Sequence, residues 1–462
     1  MTRRLLPALA AALLAGCGAL APTYERPAPP VAAAFPDAAA AASAGPAAAE
    51  LDWHRFFADA RTQRLIELAL ANNRDLRIAV LNIESARALV TVRDADRLPT
   101  LNAGITGSRQ PTASGGINTL YTAGLQVPAW ELDLFGRVKS LSDAAAAQAL
   151  GSEEARKAVQ ISLVAAVANA QLALAADDEL LRMTQQTLAT REESFKLTQL
   201  RFDRGASSAL DLRQAESLLE TARASLAQAT RQRALDENAL VLLIGQPLPP
   251  ELPPAATIGA VQLPDLPAGL PAEVLVRRPD VRQAEQALIA ANANIGAARA
   301  AFFPRITLTG SAGSASGELS GLFKSGSFAW SFAPQLVQPI FDAGRNRANL
   351  NIAELNRDVA LAQYERAIQS AFREVADALA GRATLADQLR AQQRLLEAER
   401  ARSELVELRW RNGASSTLEL LDAQRSLFAA QQALVQLQAV TAQNAVTLYK
   451  VLGGGWSEPA AR

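Results

Sequence analysis

Arg201-Phe202-Asp203-Arg204-Gly205-Ala206-Ser207-Ser208-Ala209-Leu210-Asp211-Leu212 returns 208 positions later as Arg409-Trp410-Arg411-Asn412-Gly413-Ala414-Ser415-Ser416-Thr417-Leu418-Glu419-Leu420. Each copy reads as the end of one helix, a tight turn and the start of another. Gly205 and Gly413 suit the left-handed position that follows a helix C-terminus. Ser208-x-x-Asp211 and Ser416-x-x-Glu419 have capping-box spacing, in which a hydroxyl and a carboxylate satisfy the free N–H groups of a new helix. Each copy is therefore expected to be a helical hairpin.

Outward from the turns, proline marks how far the helices run. None occurs between Pro46 and Pro99, between Pro128 and Pro247, or between Pro339 and Pro459. Proline inside a helix costs about 3 kcal/mol, and Leu, Ala, Gln, Glu and Arg, all good helix formers, fill these windows. Helices are expected over about 62–97, 137–203, 208–243, 279–302, 345–410 and 417–451. At 1.5 Å per residue, 137–203 spans roughly 100 Å. The two shorter helices of that copy sum to a similar length, so one long helix is expected beside two short ones in line. Such a hairpin exceeds a compact domain and must pack sideways on other copies or chains.

Between the helical windows Gly, Ser, Thr and aromatic residues take over, and the period becomes two. Leu101, Ala103 and Ile105 alternate with polar or small residues. So do Tyr121, Ala123, Leu125 and Val127, then Ile306 and Leu308, then Phe328, Trp330 and Phe332. Strands are expected at about 98–109, 119–131, 303–314 and 327–341, each near the length of a transmembrane β-strand. Gly136-Arg137 matches Gly344-Arg345, and Asp75-Leu76-Arg77 matches Asp280-Val281-Arg282. A period of about 200 residues is a duplicated domain rather than a solenoid. The domains are expected as repeat 1 over 61–246, an equatorial linker over 247–275, repeat 2 over 276–452 and a C-terminal tail over 453–462. The fold class is an α+β membrane protein built from a duplicated strand–helix repeat. Four strands cannot close a barrel, and open edges do not survive in lipid. A dimer supplies eight strands and a trimer twelve, and the residues leave both open.

The N-terminus has Arg3 and Arg4 before a short apolar run, Leu5 to Leu14, too short to span a membrane as a helix. Leu14-Ala15-Gly16-Cys17 resembles a lipoprotein signal-peptidase site, with 1–16 removed and Cys17 carrying lipid. Gly18 follows, where lipoproteins kept at the inner membrane usually carry Asp. Two or three acyl chains anchor stably, at about 0.8 kcal/mol per buried CH₂. Residues 17–60, rich in Ala and Pro, are expected as a lipid-anchored arm and equatorial segment.

Composition excludes several functions. The formal net charge is zero, which removes the usual footprint of nucleic-acid binding. One Cys and one His, His54, do not make a Cys/His metal cluster, and two Met, Met1 and Met183, do not suggest a thioether copper site. No nucleophile–base pair or phosphate loop is visible, so no enzyme, cofactor or metal is expected beyond the lipid on Cys17.

The chain strongly resembles the TolC-like outer-membrane factors of tripartite efflux pumps, in the NodT-type lipoprotein branch. The marks are the Cys17 lipobox, Leu132-Asp133-Leu134-Phe135-Gly136-Arg137, the two Arg-aromatic-x-x-Gly turns, and Leu418-Glu419-Leu420-Leu421-Asp422-Ala423-Gln424. The resemblance implies a homotrimer with a twelve-stranded barrel in the outer membrane of a Gram-negative bacterium and a helical barrel crossing the periplasm. It implies a passive RND-type exit duct for small molecules such as drugs, working with a periplasmic adaptor and an inner-membrane transporter. The runner-up readings are the outer-membrane component of a type I-like secretion system and a periplasmic coiled-coil scaffold.

The resemblance also makes the turns at Gly205, Ser208, Asp211, Gly413 and Ser416 the periplasmic tip. Leu418 and Asp422, four apart on one helix face, would form an apolar ring below a carboxylate ring. Clustered carboxylates raise one another's pKa. Glu419 gates or caps its helix, and Arg409 is a candidate ion-pair partner of the closed tip. Family members carry Arg two residues after the tip Gly; this chain has Ser415. Copy one has Leu210 and Gln214 where copy two has Leu418 and Asp422, so the gate charge is expected on one copy only. Trp130, Trp330 and Phe341 are expected either at the membrane interfaces or packed at the junction of barrel and belt. Phe202 and Trp410 are expected to pack the tip hairpin.

Overall fold

The computed structural model describes residues 20–35, 48, 51–113, 115–266 and 272–456, so the expected signal segment and Cys17 lie outside the described residues. The elements in chain order are α1 (Trp53–Phe56), α2 (Ala60–Asn72), α3 (Arg74–Ala95), β1 (Asn102–Pro111), β2 (Ile117–Glu131), α4 (Arg137–Asp203) and α5 (Ala209–Ile244). They continue with α6 (Pro279–Ala300), β3 (Arg305–Ser316), β4 (Phe328–Val337), α7 (Arg345–Arg411) and α8 (Thr417–Val451). The chain divides into two compact units.

The first unit takes in residues up to 29, then 80–155 and 280–367. Its sheet is an antiparallel meander in the order β1-β2-β3-β4. Among the described residues, β1 and β4 each have one edge with no strand partner. Gly124 faces Gly313 across β2 and β3. A Cβ on Gly124 would run into the Ala312 carbonyl, and one on Gly313 into the Ala123 carbonyl. Only glycine permits this approach.

The strand limits differ from those expected, for local reasons. β1 begins at Asn102 rather than near 98. The Arg97 and Leu98 N–H groups still bond back to the Asp94 and Ala95 carbonyls, and Pro99 has no N–H to give a ladder. β3 begins at Arg305 rather than 303, because Phe302 and Phe303 bond back to Arg299 and Ala300 ahead of Pro304. β4 ends at Val337 rather than 341, just before Pro339. Phe341 is therefore in the strand-to-helix loop, 90% exposed.

The second unit takes in 30–79, 156–279 and 368–456 of the described residues. The single helix expected over 62–97 is instead two, because Asn73 takes an extended ψ of 132°. Its side-chain oxygen accepts from the Leu76 N–H at 2.9 Å, capping α3, while its amide donates to the Leu243 carbonyl at 2.8 Å. Asn is suited to this because one amide serves both as cap and as cross-link. Tyr449 anchors the core of this unit. It stacks on Phe56 at 4.0 Å, and its hydroxyl donates to the Leu51 carbonyl at 2.5 Å.

Candidate functional site

The turns at Gly205 and Gly413 share one backbone geometry. Gly205 has φ 71° and Gly413 φ 74°. The Ala206 N–H donates to the Arg201 carbonyl at 2.7 Å and the Gly205 N–H to Phe202 at 2.9 Å. In copy two Ala414 donates to Arg409 at 2.8 Å and Gly413 to Trp410 at 3.0 Å. These paired bonds are a Schellman closure, which satisfies carbonyls left free at a helix end.

The copies part company one residue further on. In copy one the capping box is complete: Ser208 Oγ accepts from the Asp211 N–H at 3.1 Å, and the Asp211 carboxylate accepts from the Ser208 N–H at 3.0 Å. In copy two Ser416 Oγ accepts from the Glu419 N–H at 3.2 Å. The Glu419 carboxylate accepts from Ser415 Oγ at 2.5 Å, as Asp211 does from Ser207 Oγ at 3.2 Å, but instead of its own cap N–H it takes Arg409 at 3.4 Å. Glu's extra methylene lets its carboxylate reach across the turn, where Asp211 is held to its own cap. Arg409 also donates to the Ala414 carbonyl at 3.1 Å, so it ties the turn to both of its helices.

Asp422 is not a lone acid. Arg402 on α7 and Arg425 on α8 each donate to it at 2.6 Å. The hydrogen bond from Arg402 holds its carboxyl below the usual carboxylate range, with Arg425 adding to the effect. Within the chain, two guanidinium groups stabilise the charged form. Leu418, four residues before it, is 59% exposed. In copy one Leu210 is exposed in the same way, and Gln214 occupies the position of Asp422.

The second aromatic of the tip pair packs as expected. Trp410 lies against a buried cluster of Val406, Leu420 and Ala423. The Arg201 guanidinium of copy one sits 4.4 Å from the centre of its ring. Phe202 stays partly exposed.

The sheet has two chemically different faces. Partners across the ladder put Ala103, Leu125, Ala312 and Trp330 on one face, with Ile105, Ala123, Ser314 and Phe328 beside them. The opposite face carries Thr106, Thr122, Ser311, Ser331 and Gln126. There Thr106 and Thr122 hydroxyls bond at 2.6 Å, and Ser311 and Ser331 at 2.7 Å.

The register fixes where the tryptophans stand along the sheet. Trp130 pairs with Leu308 and Trp330 with Ala312. That separation along β3 is about 13 Å at 3.3 Å per residue, roughly half of a 25 Å apolar band. Trp130 stands near the helical end of the sheet, where its indole N–H donates to the Arg97 carbonyl at 3.1 Å, and Trp330 is the third residue of β4.

The Leu132–Arg137 segment forms the corner between β2 and α4. Arg137 makes two bonds to Glu131, at 2.8 and 2.7 Å. Phe135 stacks on Phe303 at 4.8 Å, and the Asp133 carboxylate caps α4 by accepting from the Lys139 N–H at 2.7 Å.

Sequence reading missed the partners of Asp422 and of Trp410. Arg425 was findable, since it lies three residues on along the same helix. Arg402 and Arg201 approach through tertiary packing, which no local spacing encodes.

A family model described as outer membrane efflux protein matches this chain twice, over residues 65–246 and 270–454. The solvent efflux pump outer membrane protein SrpC of Pseudomonas putida is 48% identical over 468 residues, covering 98% of each chain. Outer membrane protein OprJ of Pseudomonas aeruginosa is 48% identical over 459 residues, covering 98% of this chain and 96% of its own. The open state of the Neisseria gonorrhoeae MtrE outer membrane channel is 42% identical with a TM-score of 0.85, covering 95% of this chain and 98% of that one.

Proposed function

Because the chain belongs to the outer membrane efflux protein family, we propose that it acts as the exit duct of a tripartite pump, passing small molecules outward from the periplasm. The observation that carries this reading is the four-stranded sheet, apolar on one face and hydroxyl-lined on the other, with its two end edges unpaired. A membrane barrel needs that alternation and must close every edge. Three chains supply twelve strands, and the duplicated hairpins then supply the helical duct.

The partners on this reading are a periplasmic adaptor that meets the helix turns and an inner-membrane transporter that provides the energy. The duct itself is a passive conduit with no chemistry of its own. Relatives named for solvent and antibiotic efflux support a cargo of small apolar or amphipathic molecules. Cys17 carries the lipid that holds the arm to the outer membrane.

Gating is assigned to the copy-two turn. Leu418 forms the apolar constriction, Asp422 with Arg402 and Arg425 forms a charged girdle, and the Arg409–Glu419 pair holds the turn closed. Apolar constrictions gate by dewetting, and charged rings set ion preference.

Single-channel recording of the full-length protein in planar bilayers tests the reading. Discrete conductance is expected, with a larger or less regulated level for Asp422→Ala. A protein that inserts and never conducts overturns it.

A further inference from the structure

Arg191 on α4 is only 5% exposed, yet among the described residues no carboxylate meets it. Its guanidinium donates to the neutral Gln424 side-chain oxygen on α8 at 2.5 Å. Removal from water lowers its pKa, with no opposing negative group at work. Arginine nevertheless stays protonated in proteins, so this is a buried positive charge. Burying such a charge without a counter-ion is strongly unfavourable, and native interiors pair it. A guanidinium offers five N–H donors in a planar fork matched to a carboxylate.

A recess opens beside it, between α4 and α8, with a volume of about 200 Å³. Met183, Leu427 and Phe428 make part of its wall, Thr187 and Thr190 line it as well, and among the described residues no acidic side chain does. It is smaller than the roughly 300–1,000 Å³ of a drug-sized site. One charge, a hydroxyl rim and an apolar wall specify a small amphipathic anion.

We infer that this recess is a binding site for a small organic monoanion, a carboxylate bearing an apolar group, held by Arg191 and lodged against Leu427 and Phe428. The site joins one helix from each copy of the repeat, since α4 belongs to the first and α8 to the second. Its occupant bridges the two hairpins. Arg191 is 14 residues up α4 from Gly205, about 21 Å of helix, which separates this site from the turns. The inference stands apart from the efflux reading, because it concerns a ligand in the wall rather than cargo in the lumen.

Thermal unfolding of the full-length protein in detergent tests it, with benzoate replacing chloride at constant ionic strength. The wild type is expected to show a saturable rise in Tm of several degrees, since a ligand bound only by the folded state stabilises it. Benzyl alcohol, the neutral near-isostere, should give no such rise. Arg191→Gln should unfold at a Tm independent of benzoate. Phe428→Ala should weaken half-saturation by benzoate about tenfold while leaving acetate unaffected, which keeps the test decisive if Arg191→Gln folds poorly. Equal responses from the wild type and Arg191→Gln, an equal effect of benzyl alcohol, or no response to benzoate overturns the proposal. The last result, with Arg191→Gln reducing the oligomer, would assign the charge to a carboxylate of a second copy instead.

Discussion

The guanidinium of Arg201 lies 4.4 Å over the ring of Trp410, so the turn of the first repeat is fastened to the turn of the second within one chain. They stand at adjacent places in the duplicated motif, Arg201 four positions before Gly205 and Trp410 three before Gly413. The arginine position of the first copy thus meets the aromatic position of the second.

An exposed cation–π contact contributes about 0.5–1 kcal/mol. Arg201→Ala should therefore speed amide exchange around Gly205 and Gly413 by roughly 2–5-fold, with the sheet unaffected. Trp410→Ala should do more, because it also empties the space against Val406 and Leu420. Exchange followed by mass spectrometry reads both variants.

Asp422→Asn leaves Arg402 and Arg425 without their shared acid. The reversal potential in a salt gradient should move toward anion preference relative to the wild type. In the wild type the carboxyl pKa is depressed, so the pairing is present above the unfolded carboxylate pKa and is lost only as pH falls through the lower folded value. Wild-type selectivity should then be flat from pH 8 to pH 5. A titration near neutrality would show instead that carboxylates of neighbouring chains control one another.

Asp177 on α4 is buried beside Asp236 on α5, with Asp178, Arg233 and Glu237 alongside. Burial first, and then Asp236, pushes its pKa up to about 7. The proton is bound more tightly in the folded state than in the unfolded one. Its stabilising effect is full below the unfolded value near 4 and is lost as pH rises through about 7. Tm should fall between pH 5 and pH 8. Asp177→Asn keeps a hydrogen-bond donor without the charge, and should flatten that slope and raise stability at pH 8 by on the order of 1–3 kcal/mol.

Gly124→Val places a branched side chain where the Ala312 carbonyl and the Gly313 backbone already lie. It should separate β2 from β3 and abolish the heat-modifiable gel migration typical of outer-membrane barrels. Gly326→Ala, at a turn with open space around it, should preserve that migration while costing roughly 1 kcal/mol for its φ of 91°.

Much of this architecture is legible in the sequence, because it is periodic. Helix α4 runs from Arg137 to Asp203 because no proline interrupts a long stretch of helix formers, and the alternation of Phe328, Trp330 and Phe332 sets one face of β4. Local chemistry also announces the turns at Gly205 and Gly413. What is not legible depends on contacts far apart in the chain. The break at Asn73 needs the Leu243 carbonyl, 170 residues away, as a reason to stop the helix. The charge state of Asp422 depends on Arg402 across the hairpin, and the isolation of Arg191 depends on what does not fold next to it. The places of Trp130 and Trp330 follow from register, which becomes visible only when β2, β3 and β4 are aligned.

The two unpaired edges of the sheet, on β1 and β4, have a genetic consequence. A ring closes only if every member offers both edges, so one faulty member spoils the whole. A chain with a sound β1 and a disabled β4 still enters the ring by its good side and leaves a gap that nothing fills. Produced together with the normal protein, such a chain should leave intact rings only in proportion to the third power of the normal share. A chain disabled at both edges should be harmless, because it is never recruited.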